Sequence, residues 1–309
     1  MSQTEPIPSS QFPVPIDQIL YPFASNFELE FESHKITQIH RDFWWIPLLV
    51  VPIYLYGVVY QGQKFMKTRK LPLFITKSIP YILFIWNALL SAFSIAGFFR
   101  VFPFFAFVFI TSLLGISSIK ASAPSGSYLF CSPGMATYGS GPVGLWVVLF
   151  MWSKYIELLD TVLLVVRKKP VTFLHYFHHA TVLLYCWYAG AAEQSTGIFF
   201  AVMNYGVHAL MYLYYTLQAL VGVGLLRARP SWGKLVTILQ LLQMALGVTV
   251  TLIHSWLINH RDDCDGNPVI IAAAFAMYSV YGALFLKFFY TRYTDKQKYL
   301  YHFFSSLRI

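Results

Sequence analysis

Charge is scarce in this chain. Asp, Glu, Lys and Arg together make up only 11% of its 309 residues, and 13 of those side chains are acidic. That excludes an ordinary soluble domain, which carries about a quarter of its residues charged. The first 40 residues, Pro-rich and polar, lack a basic segment followed by an apolar core, so no cleaved signal peptide is expected and the first apolar run must serve as the insertion signal. No internal repeat or soluble domain is evident. Three cysteines allow one intramolecular disulfide at most.

What is abundant is apolar: 57% hydrophobic residues, 18% aromatic, and a mean hydropathy of +0.57. Apolar runs long enough to cross a bilayer fall near 42–62, 75–115, 141–166, 171–190, 196–222, 233–258 and 268–291. The expectation is an all-α integral membrane protein with seven transmembrane helices. Residues 75–115 read as one long span bent near Pro103, because too few polar positions separate Arg100 from Pro103 for an exposed reversal. Three regions follow: an N-terminal segment 1–40, a membrane domain 41–292 and a tail 293–309.

Basic residues set the orientation. Lys64, Lys67, Arg69, Lys70, Arg167, Lys168, Lys169, Arg227, Arg229, Lys234, Arg292, Lys296, Lys298 and Arg308 fall on one side of the seven spans. Only Lys35, Arg41, Lys120 and Arg261 fall on the other. The C-terminus is therefore expected in the cytosol and the N-terminus in a lumen or outside. The net charge of +9 needs no nucleic acid to explain it. Cys131 and Cys264 both fall in loops on the non-cytosolic side, where an oxidising compartment permits a disulfide between them; two free thiols are the alternative. Cys186 lies within the fourth span, without a partner.

Four stripes of polar residues interrupt the apolar helices. With about 100° per residue, His175, His178 and His179 share one helix face. Lys154, Glu157, Asp160 and Thr161 form a second stripe, Asn204, His208, Tyr212 and Tyr215 a third, and Thr237, Gln240 and Gln243 a fourth. Counted from the cytosolic ends at about 1.5 Å per residue, His178 lies roughly 10 Å deep, Glu157 roughly 14 Å, Gln243 roughly 15 Å and His208 roughly 20 Å. All four stripes meet in one layer. Each has a structural alternative: Gln and Asn join helices in many membrane bundles, and Lys154 with Glu157 can be a clamp. Three histidines at one depth point instead to chemistry.

Two enzyme classes use such histidines. A di-iron desaturase or hydroxylase needs roughly eight ligands. Of the nine histidines here, His34, His40 and His302 lie outside the spans and His254 and His260 at the far end of the sixth, which leaves four in the layer. The second class uses imidazole directly as nucleophile and as acid or base. A seven-span receptor or transporter has the same topology, but no Asp-Arg-Tyr follows the third span and the seventh lacks Asn-Pro-x-x-Tyr.

The stretches "KYIELLDT", "HYFHH", "NYGVHALMYLYY" and "TILQLLQ" resemble, in order and spacing, the four signature motifs of the ELO family of fatty acid elongases. The resemblance implies a 3-oxoacyl-CoA synthase, an acyltransferase that condenses a long-chain acyl-CoA with malonyl-CoA and releases CO2 and CoA. It further implies a bundle in which spans two to seven enclose an acyl-chain tunnel, and a multi-pass location in the endoplasmic reticulum membrane. His178 matches the position favoured as nucleophile in a ping-pong, acyl-imidazole mechanism, with His208, His175 and His179 in proton transfer and orientation. Lys154, Glu157, Asp160, Asn204, Tyr212, Gln240 and Gln243 form the expected polar shell. Arg167, Lys168, Lys169, Arg227 and Lys234 are the expected holders of CoA. No metal or bound cofactor is expected. The implied partners are the bilayer and the ketoreductase, dehydratase and enoyl reductase of an elongation cycle, with a homodimer left open. Pro170, where members acting on polyunsaturated chains usually carry Gln, resembles the branch for saturated and monounsaturated chains.

Overall fold

The computed structural model describes residues 20–113 and 127–294. The expectations for residues 1–19, Lys120, Lys296, Lys298 and Arg308 lie outside them. Among the described residues the chain is helical, with no strand. Two short elements, α1 (Asn26–Leu29) and α2 (His34–Asp42), precede α3 (Ile46–Thr68) and α4 (Leu73–Leu113). Two further short elements, α5 (Tyr128–Cys131) and α6 (Gly134–Tyr138), lead into α7 (Gly141–Ile156) and α8 (Leu158–Val166). The rest is α9 (Phe173–Ala191), α10 (Gly197–Gly222), α11 (Gly233–His260) and α12 (Pro268–Phe289), which winds on to Thr294.

Five of these helices are long and apolar enough to cross a membrane: α3, α4, α10, α11 and α12. Their outer faces expose Leu48, Leu49, Phe99, Leu252, Trp256 and Phe275, side chains that lipid solvates and water does not. The protein is an all-α integral membrane protein. The two segments that bring the expected number to seven fall short for one physical reason: they carry the charge and the histidines. The third expected span is divided at Glu157 into α7 and α8, and α9 is only 19 residues long with three histidines in its first half. At the division the backbone tightens rather than breaks, since the Glu157 N–H still reaches the Ser153 carbonyl at 2.8 Å and the Asp160 N–H turns back to the Glu157 carbonyl at 3.1 Å.

Residues 73–113 form one continuous helix of 41 residues that runs through both Pro80 and Pro103. At about 1.5 Å per residue it is roughly 60 Å long, twice a hydrocarbon core. It lies along α10, and the close approach is made at Gly97, where a Cβ would come within 2.3 Å of the Tyr205 ring. α11 runs along α12, while α9 packs against α7 and α12. The first long helix, α3, stands at the edge. It packs on α8 and α9 through a small cluster built on Tyr54, Val59 and Ala180. From Tyr54 to Gly62 its turns widen into a π-helix, just after Pro52 has removed a backbone donor.

The bundle end remote from the three histidines is tied by polar contacts. Cys131 and Cys264 form a disulfide across a sequence separation of 133, and the Asp265 N–H donates to the Cys131 carbonyl at 2.9 Å. Tyr138 donates to the Gln194 carbonyl at 2.8 Å, and the Gln194 side chain accepts the Asn267 N–H at 3.2 Å. Nearby, Arg100 of α4 reaches the Glu28 carboxylate with Nε at 2.8 Å and Nη2 at 3.2 Å. Burial pushes that carboxyl up, but donors from Trp146, the Ser25 backbone and Arg100 outweigh it and hold Glu28 down at about 2.

The bridge has a direct chemical test. In denatured, unreduced protein a maleimide reagent labels one cysteine, Cys186, which is buried and free in the fold; after reduction it labels three. Three labels without reductant would remove the bridge and the typical stabilisation of about 2–4 kcal/mol expected of it.

Candidate active site

A lysine inside a membrane bundle must have its charge answered on the spot. Lys154, 2% exposed, lies one turn before the division between α7 and α8. Its Nζ donates to Glu157 Oε1 at 2.7 Å and to Asn204 Oδ1 of α10 at 3.0 Å, and it lies 4.3 Å from the centre of the Phe150 ring. Ser153 Oγ adds a second donor to Glu157 Oε1 at 3.0 Å. The other carboxylate oxygen, Oε2, is buried without a hydrogen-bond partner and stands 4.0 Å from His208 Nδ1. One oxygen of Glu157 thus neutralises a cation while the other faces an imidazole.

Asp160, a turn further on, has a different task. Its Oδ1 accepts from Trp86 Nε1 of α4 and its Oδ2 from the Tyr212 hydroxyl of α10 at 2.8 Å. The carboxylate therefore ties α8 to two other helices.

The three histidines of α9 follow a capped start, with Thr172 Oγ1 accepting the His175 N–H at 3.3 Å. The i, i+3, i+4 spacing puts them side by side: ring centroids are 4.4 Å apart for His175 and His179, and 5.3 Å for His178 and His179. They do not share one environment. His175 Nε2 meets Thr161 Oγ1 at 2.9 Å. His179 is buried, and its Nδ1 has no hydrogen-bond partner among the described residues. His178 faces a narrow cavity and is the one member of the four-histidine layer that lines it. Asn204 and Gln243 join it there, and the lining continues past Val182 and Cys186 to Gly190 and Tyr138. From His178 to Gly190 that is roughly 18 Å along α9.

The structure brings together His175, His178, His179, His208, Lys154, Glu157, Asp160, Asn204, Tyr212 and Gln243, through contacts or a shared cavity. Gln240 stands apart from the cavity, and its amide donates to Met211 Sδ at 3.4 Å. The basic residues proposed for CoA divide between two connections. Arg167 and Lys168 line a surface depression with Lys70, and Lys168 Nζ donates to the Arg69 carbonyl. Lys169, Arg227 and Lys234 are exposed and are not part of its lining, and Lys234 Nζ lies 5.6 Å over the Phe289 ring.

Sequence reasoning missed Tyr54, Trp86 and Tyr281. Tyr281 of α12 lies with its ring 4.9 Å from that of His178 and donates to the His178 carbonyl at 3.2 Å. Among the 21 tyrosines and eight tryptophans of the sequence, nothing in the pattern distinguishes these three, since each acts through a helix distant in sequence. Among the described residues no group of three or more His, Cys, Asp or Glu is arranged to hold a metal ion. What remains at the site is a cavity-lining imidazole, a second imidazole beside a half-paired carboxylate, and a mostly apolar cavity.

Comparison with known proteins matches the sequence to one family. The family model for ELO, the GNS1/SUR4 family, covers residues 40–299. Fatty acid elongase 3 of Trypanosoma cruzi (strain CL Brener) is 34% identical over 276 residues, 85% of this chain and 89% of the relative. Very long chain fatty acid elongase 6 of Mus musculus is 31% identical over 274 residues, 88% and 93% of the two chains. Very long chain fatty acid elongase 3 of Mus musculus is 32% identical over 253 residues, 82% and 84%.

The buried ion pair can be tested on stability alone. Lys154→Met leaves the Glu157 carboxylate buried without its cation and is expected to cost about 3–5 kcal/mol in detergent-solubilised protein. Adding Glu157→Gln to Lys154→Met recovers most of that loss in thermal unfolding. A double variant as unstable as the single one would show that the lysine's packing, not its charge, is what the bundle needs.

Proposed function

The chain belongs to the ELO (GNS1/SUR4) family and is a membrane-embedded fatty acid elongase; from this premise we propose that it acts on acyl-CoA as the condensing enzyme, a 3-oxoacyl-CoA synthase working through an acyl-imidazole on His178. The observation that carries the assignment is that His178 alone of its layer lines the cavity that leads away from the polar cluster. A neutral ring nitrogen attacks the thioester carbonyl, a C–N bond forms, the C–S bond breaks and CoA leaves as the thiol with the imidazole proton. Malonyl-CoA then binds and loses CO2. Its enolate carbon attacks the acyl carbon, a C–C bond forms, and the imidazole leaves with one proton taken up. His208, beside the free oxygen of Glu157, is positioned to handle that proton, with His175 and His179 orienting the layer. The acyl chain occupies the cavity past Val182 and Cys186.

In the same reading the protein resides in the endoplasmic reticulum membrane, crosses it seven times, and has the N-terminus in the lumen and the C-terminus in the cytosol. The product has a 3-oxo group, so a reductase, a dehydratase and an enoyl reductase must follow it. CoA phosphates are held by the basic connections around Arg167, Lys168 and Lys169 and around Arg227 and Lys234. The saturated or monounsaturated preference rests on Pro170.

Two experiments address the mechanism and the CoA site. Purified protein given acyl-CoA without malonyl-CoA should release about one CoA per protein and gain one acyl group by intact mass, and His178→Ala should do neither. Acylation that persists in His178→Ala removes the nucleophile assignment. Replacing Lys168 and Lys169 by Gln should raise KM for both CoA substrates about tenfold at unchanged kcat, the loss of charge-assisted phosphate contacts. An unchanged KM would leave these lysines as topology signals only.

A further inference from the structure

The helix at the edge of the bundle reaches the histidine layer. Tyr54, 3% exposed at the start of the widened turns of α3, places its hydroxyl 2.8 Å from Thr161 Oγ1 of α8. Thr161, fully buried, places the same oxygen 2.9 Å from His175 Nε2. Three groups from three helices therefore form one line of hydrogen bonds.

Such a line can run in two directions, and burial separates them. If Tyr54 donates to Thr161 and Thr161 donates to His175 Nε2, every hydroxyl proton has an acceptor. If His175 donates from Nε2, the Thr161 oxygen can accept from both His175 and Tyr54, but one hydroxyl proton, that of Thr161 or that of Tyr54, is then left buried with no acceptor among the described residues. Burying a hydroxyl proton without an acceptor is costly, which favours the first direction.

We propose that Tyr54 and Thr161 form a relay that fixes His175 as the neutral tautomer with its proton on Nδ1, which makes the first long helix part of the catalytic apparatus. Protonating His175 would make Nε2 a donor and leave one of the two hydroxyl protons unmet; the Tyr54 donor holds Thr161 Oγ1 toward His175, and without it the hydroxyl can turn to its i−4 carbonyl, as those of Thr181, Thr216 and Thr251 do. The relay thereby keeps a positive charge away from His179, 4.4 Å ring to ring from His175, and from the layer in which His178 must be uncharged to attack. Tyr54 and Thr161 are positioning residues: they act through His175. The inference rests on reading this layer as the condensation site, although the tautomer itself is measurable without turnover.

The test combines spectroscopy with a double-mutant cycle. In 15N-histidine-labelled, detergent-solubilised full-length protein, the His175 signal is identified by its loss in His175→Gln. Wild type is expected as the Nδ1–H tautomer, and Tyr54→Phe, which keeps the ring, as a mixture with a substantial Nε2–H fraction. Tyr54→Phe and Thr161→Val should each lower kcat about tenfold with both KM values within about twofold. The double variant should lose no more than either single one. Thr161→Ser, which retains the hydroxyl, should restore kcat and shows that loss in Thr161→Val is not misfolding. An Nε2–H signal in wild type, an unchanged tautomer in Tyr54→Phe, or losses that multiply would overturn the relay. Wild-type protein that makes no elongated product would overturn the condensation reading instead, and the tautomer measurement would still decide the relay.

Discussion

The ammonium of Lys154 is the charge around which the centre of this bundle is arranged. Buried in a lipid-facing protein it requires a carboxylate, and Glu157, one turn away, supplies one oxygen at 2.7 Å. That pairing fixes the rest. Asn204 is drawn in from α10 to complete the coordination of the cation, which sets how α7 and α10 pack. The second oxygen of Glu157 is left without a donor, and His208 on the same helix as Asn204 lies beside it. An ion pair that looks like a local i, i+3 clamp in the sequence therefore prepares the electrostatics of a second imidazole.

Polarity in the remainder of the site is distributed by the same rule, that a buried donor or acceptor must be met. Asp160 is answered by Trp86 and Tyr212, and Thr161 by Tyr54 and His175. These contacts cross between five helices, so the motif around residues 154–161 is a hub of the bundle. The division of α7 from α8 at Glu157 belongs to this arrangement, because the tightened turn carries the polar residues that a regular apolar span would not. His178 is the exception. Its ring lies open to the cavity, as a group that has to meet a substrate should be.

Much of this was legible in the sequence. The apolar runs located the long helices, because the bilayer sets a minimum length and composition that few other constraints imitate. Helical spacing placed the histidines on one face, and a count of residues from the basic ends placed four stripes at a common depth. The pairing of Cys131 with Cys264 followed from two loops sharing one side. Less legible were Tyr54, Trp86 and Tyr281, aromatic residues in aromatic-rich helices, whose roles depend on which helix each one happens to touch. Of the seven expected crossings, five are long and apolar enough by themselves to be recognised as spans, and the other two are the segments that carry Lys154, Glu157 and the three clustered histidines.

What the sequence determined by itself is what depends on local order: where the long apolar helices lie and the face on which each residue sits. These are properties of one helix at a time, set by 3.6 residues per turn and by the cost of exposing polar groups to lipid. What only the tertiary structure decided is which of four histidines meets the cavity, which oxygen of Glu157 is free, and that the outlying α3 touches the site. Those depend on how helices rotate and tilt against one another, which the packing of distant side chains fixes and no single helix encodes.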